Sequence, residues 1–235
     1  MKKVSQKFSL IPIYGMVLSL FLVTAVGGSR AVTVIAENIP IQNRTCIIID
    51  AGHGGEDGGA TSCTGVLESK INLEISLRLE DLFHLLGYDT LMIRRTDRSV
   101  YTAGETIAAK KVSDLKERVR IINETEKALL VSIHQNYFSD SRYSGAQVFY
   151  ANTEASDRLG SQMQQALVSS LNPTSNRKIK RAEGIYLMNH IECTGILVEC
   201  GFLSNPEEEA KLRCVEYQKM LSSVIAVTVG EFIDS

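Results

Sequence analysis

"IIIDAGHGGEDGGA", residues 47–60, runs three isoleucines into an aspartate and then sets a single histidine, His53, among five glycines. A short run of β-branched apolar residues reads as a buried strand, and the glycines that follow permit backbone angles and close approaches that a Cβ forbids. His53 is therefore placed at the end of a strand, where the chain can fold tightly around it. For one histidine taken alone, a hydrogen-bonded surface residue in a turn is the plainer reading, so the rest of the chain has to decide.

Further apolar runs at 88–93, 128–133, 146–150, 185–188 and 195–198 predict strands, with 46–49 as the first. Helical patterns lie near 67–86, 114–126, 154–171 and 215–233. Another helix starts in "SNPEEEAKL", where Asn205 can cap, Pro206 suits the first turn and Glu207, Glu208 and Glu209 suit the positive end of the helix dipole. Strands alternating with helices predict an α/β layered domain, with a central, partly parallel (mixed) sheet flanked by helices on both faces. In such sheets the ligand site lies beyond the carboxyl ends of the strands. His53 follows the first strand, His134 ends "ALLVSIH" and Glu199 ends "GILVE", so three polar groups converge on one edge.

The helical pattern "ESKINLEISLRLEDLFHLLG" puts Ile71, Ile75, Leu79, Leu82 and Leu86 on one face. Counting back three from Ile71 reaches Glu68, a carboxylate that is costly to bury unless it meets a donor, a cation or a metal. A carboxylate that merely favours the helix dipole is the competing account. Glu74 and Glu80 read as solvated charges, and His84 and His190 read as structural. Together His53, Glu68 and His134 supply two imidazoles and one carboxylate, the ligand set of many catalytic zinc sites, with one position open for water. Zinc would lower the pKa of that water to about 7 and polarise a carbonyl, as amide hydrolysis at neutral pH requires. Glu199 could then move the proton.

With 235 residues, 44% of them hydrophobic and 22% charged, the chain can bury one substantial core. Residues 1–28 contain Lys2, Lys3, Lys7 and no acid, followed by the apolar stretch 8–26, which predicts a signal peptide or an N-terminal membrane anchor. Pro12, Ser19 and Thr24 weaken a spanning helix and favour export, with cleavage among the small residues that follow. Membrane contact is expected only through this segment if it is left uncleaved. Residues 29–45 read as a polar connector and 46–235 as a single domain, with no repeat or second linker. Without its first 28 residues the chain holds 22 basic and 27 acidic side chains, which argues against a nucleic-acid partner. The five cysteines, Cys46, Cys63, Cys193, Cys200 and Cys214, form neither a metal-ribbon spacing nor a complete disulfide framework.

Four ordered stretches, "IDAGHGGEDGGA", "ESKINLEISLRL", "SIHQN" and "LVECGFLSNPEE", resemble the zinc-dependent N-acetylmuramoyl-L-alanine amidases (amidase type 3) of the bacterial cell wall, over residues 46–233. The resemblance implies that residues 46–235 are an amidase catalytic domain. It also implies Zn2+ as cofactor on His53, Glu68 and His134, Glu199 as the catalytic residue and peptidoglycan as substrate. Asp50 could orient a ligand from behind, or form an Asx-turn. "KKVSDLKERVRIIN" at 110–123 resembles the subgroup that trims peptides from spore-cortex peptidoglycan, which implies an exported, extracytoplasmic enzyme acting in spore-cortex maturation. Cys200 and Gln135 depart from the wider pattern; neither removes a ligand or the base, but both could alter the shape of the substrate cleft.

A general division or autolytic amidase of the same chemistry stands as the alternative. A cysteine hydrolase using Cys200 or Cys63 with His53 would leave Glu68 unexplained, and a catalytically silent wall-binding protein would have no need of all four groups. Dependence on an accessory protein partner is left open by the sequence.

Overall fold

The computed structural model describes residues 44–235. The signal or anchor reading of residues 1–28, and nearly all of the connector, fall outside the described residues. Within them run β1 Cys46–Ala51, α1 Glu68–Leu85, β2 Asp89–Met92, α2 Ile107–Asn123, β3 Ala128–Asn136 and β4 Gln147–Tyr150. These are followed by α3 Ser156–Leu171, β5 Lys180–Arg181, α4 Tyr186–His190, β6 Thr194–Phe202, α5 Pro206–Leu212 and α6 Val215–Ile233. No helix among the described residues is long and apolar enough to cross a membrane.

The strands form one mixed sheet in the order β2-β1-β3-β6-β4-β5. β1 pairs in parallel with β2 and β3, and β3 pairs in parallel with β6. β4 turns the sheet mixed by running antiparallel to β6. Both faces are covered, which is why β1 reads as an unbroken apolar run rather than an alternation. Ile47, Ile49, Val131 and Val198 pack with side chains from α1, α3 and α6, while Ile48, Leu130 and Leu197 pack with α2 and α4. Ile47, Ile48 and Ile49 are fully buried, each worth roughly 1.5–3 kcal/mol of hydrophobic stabilisation. The parallel register sets Ile49 beside Val131 and Val131 beside Ile196, so β1, β3 and β6 end together at one edge.

Four sequence readings are corrected. Residues 185–188 are not a strand: Tyr186–His190 form one helical turn, with His190 Nδ1 2.7 Å from the Tyr186 carbonyl and only Leu187 and Met188 buried. α2 begins at Ile107 rather than near 114, because the Thr106 side chain caps it by accepting from the Ala109 amide at 3.2 Å. Glu80 is buried and held by Arg95, not solvated, because the chain beyond β2 passes over it. Leu86 is exposed, and Phe83 closes the buried face of α1 instead.

α5 braces the edge at which β1, β3 and β6 end. The Asn205 side chain accepts from the amides of Glu207 and Glu208 at 3.0 and 3.1 Å, as the sequence predicts for its cap. Glu208 accepts from the amides of Gly145 and Phe202, both at 2.8 Å. Its neighbour Glu209 accepts from the hydroxyls of Ser62 and Thr64 at 3.2 and 2.5 Å. Asn205→Ala removes the cap and is expected to cost about 1 kcal/mol, lowering the thermal midpoint by roughly 2–4 °C in a domain of this size. A thermal melt of the variant beside wild type reads this shift.

Candidate metal centre

Three elements bring His53, Glu68 and His134 together. His53 follows β1 and has φ 61°, a left-handed conformation that costs a non-glycine residue roughly 1–2 kcal/mol. Its Nε2 lies 3.3 Å from Glu68 Oε2, and its Nδ1 lies 2.9 Å from Asp57 Oδ2. Glu68 opens α1, and its Oε1 lies 3.0 Å from His134 Nδ1. The ligand atoms of the three side chains all lie within 4.8 Å of one another.

Two glycines make that packing possible. A Cβ on Gly52 would lie 2.2 Å from His134 Nε2, and a Cβ on Gly59 would lie 2.5 Å from Glu68 Oε2 and 2.7 Å from His53 Cδ2. Any larger residue at either place collides with one of the three clustered side chains, which gives Gly52 and Gly59 their physical reason.

The carboxylate of Glu68 is buried, and donors surround both of its oxygens. Oε1 accepts from the Gln135 amide at 3.1 Å and from Asn72 Nδ2 at 3.2 Å, and Oε2 accepts from the Ala60 amide at 2.9 Å. Burial alone would raise its pKa, but the hydrogen bonds to His134 and His53 outweigh it and hold the group far below the usual carboxylate range. Burial alone would lower the His53 pKa, yet the hydrogen bonds to Asp57 and Glu68 push it up to about 9. Two imidazoles with one ionised, buried carboxylate are a zinc donor set. Bonds of about 2.0–2.1 Å at tetrahedral angles separate donors by roughly 3.3 Å, close to the 3.3 and 3.0 Å from each histidine to a Glu68 oxygen, so this donor set fits the ion.

Glu199 stands in register with His134 across the β3–β6 pair, which places the two side chains on the same face of the sheet. Its Oε2 is buried and has no hydrogen-bond partner among the described residues. Burial, assisted by the negative charge of Glu68, raises its pKa to about 7, against the opposing pull of His134 and His53. A carboxyl poised there can take and return a proton near neutrality. A cavity of about 180 Å³ opens beside the two histidines, its walls including Lys111 and Leu115 of α2, Tyr186 and Leu187 of α4, and Asp57.

Asp50 lies one step behind. Its carboxylate accepts from Ser132 Oγ at 2.6 Å and from Arg118 Nη1, and Arg118 Nη2 in turn donates to the His53 carbonyl at 2.8 Å. The side chain that touches the His53 ring from behind is Asp57, itself paired with Lys111 Nζ at 3.2 Å, and sequence reasoning missed it. Its four-residue spacing from His53 was the one available signal. Gln135 and Cys200 are buried and are not among the residues that line this cavity. Burial pushes the Cys200 thiol far up, and the ring of His53 faces Asp57 and Glu68, so no activated cysteine forms there. All five cysteines are free thiols in the structure.

Residues 47–230 match the sequence family described as N-acetylmuramoyl-L-alanine amidase. The chain is 37% identical over 190 residues to the germination-specific N-acetylmuramoyl-L-alanine amidase of Bacillus subtilis (strain 168), covering 80% of this chain and 79% of that one. Among solved structures it is similar to the CwlD amidase from Clostridioides difficile, determined in complex with the GerS lipoprotein. That match has a TM-score of 0.78 and 35% identity, and covers 81% of this chain and 99% of the other. An N-acetylmuramoyl-L-alanine amidase from Clostridium difficile 630 matches with a TM-score of 0.72 and 29% identity, over 82% of this chain and 98% of its own.

Proposed function

This chain belongs to the N-acetylmuramoyl-L-alanine amidase family, and on that footing we propose that it is a zinc enzyme that cuts the amide between the lactyl group of N-acetylmuramic acid and L-alanine in spore-cortex peptidoglycan. The observation that carries the chemistry is Glu199: a carboxyl with one buried, unpartnered oxygen in register with His134, beside three side chains whose donor atoms suit one ion.

Zinc bound by His53, Glu68 and His134 supplies a Lewis acid that makes water acidic enough to ionise near neutral pH and polarises the scissile carbonyl. The other steps belong to the chain. Glu199 accepts a proton from the attacking water and delivers it to the departing alanine nitrogen, which leaves as an amine. Asp57 fixes the His53 ring through Nδ1, leaving Nε2 for the metal. Lys111 and Leu115 of α2 and Tyr186 and Leu187 of α4 wall the cavity beside the two histidines, where the peptide substrate would approach.

The spore-cortex assignment is supported by the similarity to the germination-specific amidase of Bacillus subtilis and to the CwlD amidase. By the same likeness an accessory lipoprotein is the kind of partner to seek, and the site of action is extracytoplasmic. Purified protein incubated with cortex peptidoglycan should release free stem peptides beginning at L-alanine, read by mass spectrometry of the products. Intact lactyl–alanine bonds beside cleavage elsewhere would sink the proposed reaction, and equal turnover of vegetative wall would sink the cortex preference.

A pH profile follows from Glu199. Its pKa is raised to about 7, so the basic form is present above that value and is lost as pH falls through it. Positive charge at the triad favours the carboxylate and moves the midpoint lower. kcat/KM is therefore expected to fall roughly tenfold per pH unit on an acid limb lying at or below about pH 7. Glu199→Gln should abolish that limb in what activity remains.

A further inference from the structure

We propose that Arg94 and Arg118 are positioning residues whose guanidinium groups set the aim of His53 at Glu68 by holding the main chain of residues 51–53. The assignment rests on the metal reading above and goes beyond it, since neither side chain belongs to the triad or the proton path.

The observation is a run of consecutive carbonyls, each taken by a side chain. The Ala51 carbonyl accepts from Arg94 Nε at 2.8 Å and from Arg118 Nη1 at 3.1 Å. The Gly52 carbonyl accepts from Arg94 Nη2 at 2.9 Å and from Asn72 Nδ2 at 3.1 Å. The His53 carbonyl accepts from Arg118 Nη2 at 2.8 Å. A strand end in an ordinary loop would leave such carbonyls to water. Here two buried cations hold the peptide planes on either side of a histidine whose φ is left-handed.

Arg94 also reaches the second ligand. The same Nη2 that donates to Gly52 donates at 2.8 Å to the carbonyl of Ser69, the residue after Glu68. One nitrogen thus ties the loop bearing His53 to the helix turn bearing Glu68, and so fixes the separation of two ligands that lie on different elements. All the hydrogen bonds of Arg94 go to main-chain carbonyls, although it is among the largest fully buried side chains. Burying a cation without a carboxylate on it is a poor way to gain stability, whereas a planar fork is a good way to fix several carbonyls at once. Arg118 is itself aimed by Asp50 and by Asp114, whose Oδ2 lies 2.6 Å from Nε.

Lysine at either position keeps the charge, but its one nitrogen cannot stand in for the two or three separate guanidinium nitrogens that reach different carbonyls in fixed geometry. Arg94→Lys and Arg118→Lys are compared with wild type as full-length protein, folding being checked by circular dichroism and zinc affinity by competition with a chelator. Folded variants should bind zinc about 10–100-fold more weakly, with a lower kcat and an unchanged KM. Glutamine variants, which restore a planar donor, should recover part of the affinity. Wild-type zinc affinity in the folded lysine variants would overturn the assignment. So would failure of all four variants to fold, since the arginines would then be supports of the whole domain. If wild-type protein itself bound no zinc, the metal reading would fall first and this assignment with it.

Discussion

Glu199→Gln is expected to lower amide hydrolysis by about 10²- to 10⁴-fold, the usual share of a positioned acid or base, and to leave the metal content at the wild-type level. The substitution keeps the shape of a side chain within β6 whose Oε2 is buried and removes its ability to exchange a proton. Because Glu199 is outside the cluster of three ligand atoms, metal content has no reason to change. Because its Oε2 has no partner among the described residues, an amide there breaks no existing hydrogen bond at that atom. Plasma mass spectrometry for zinc and a peptide-release assay on the same sample give the two readings. Near-normal turnover would remove Glu199 from the proton path.

His134→Ala is the opposite case, losing metal and activity together. The substitution deletes one of three donors and leaves Glu68 Oε1 without the imidazole that lies 3.0 Å from it. Loss of a residue supporting a ligand typically costs about 10–100-fold in affinity, and loss of the ligand itself should exceed that. Zinc should be undetectable after dialysis, and hydrolysis should fall to background even in added zinc. Chelation of wild-type protein should mimic the variant and be reversed by zinc, whereas thiol alkylation should spare activity. The contrast with Glu199→Gln separates holding the ion from moving the proton.

Much of this was legible in the sequence for physical reasons that differ from residue to residue. His53, His134 and Glu199 end apolar runs, and parallel strands buried on both faces announce their ends clearly. Glu68 was found because a carboxylate on the buried stripe of α1 breaks the pattern that Ile71, Ile75 and Leu79 establish. Asp57 was not found, since a glycine-rich loop has no period from which its direction could be read. Ile185–Met188 misled because four apolar residues fit one turn of helix as well as a strand. The start of α2 was hidden by first turns that are largely exposed and so carry no apolar face, though Thr106 was a usable cap. Glu80 looked solvated because nothing local marks a partner lying 15 residues away, at Arg95. The arginine cradle was illegible for the same reason: its targets are main-chain carbonyls, which leave no trace in side-chain spacing.

The brace made by Glu208 and Glu209 has a meaning for biosynthesis. By the time residue 199 has been made, all four groups assigned to the chemistry exist, yet the carboxylates that anchor the segments around Ser62, Gly145 and Phe202 are still to come. A product ending at Glu199 would possess the whole reagent list and lack the fixture that keeps it assembled. Because β6 fills the middle of the sheet, between β3 and β4, the earlier strands cannot close the layer without it. A nascent chain therefore lacks this brace until Pro206–Leu212 has been made, so the assembled site depends on elements that follow every one of its reactive groups.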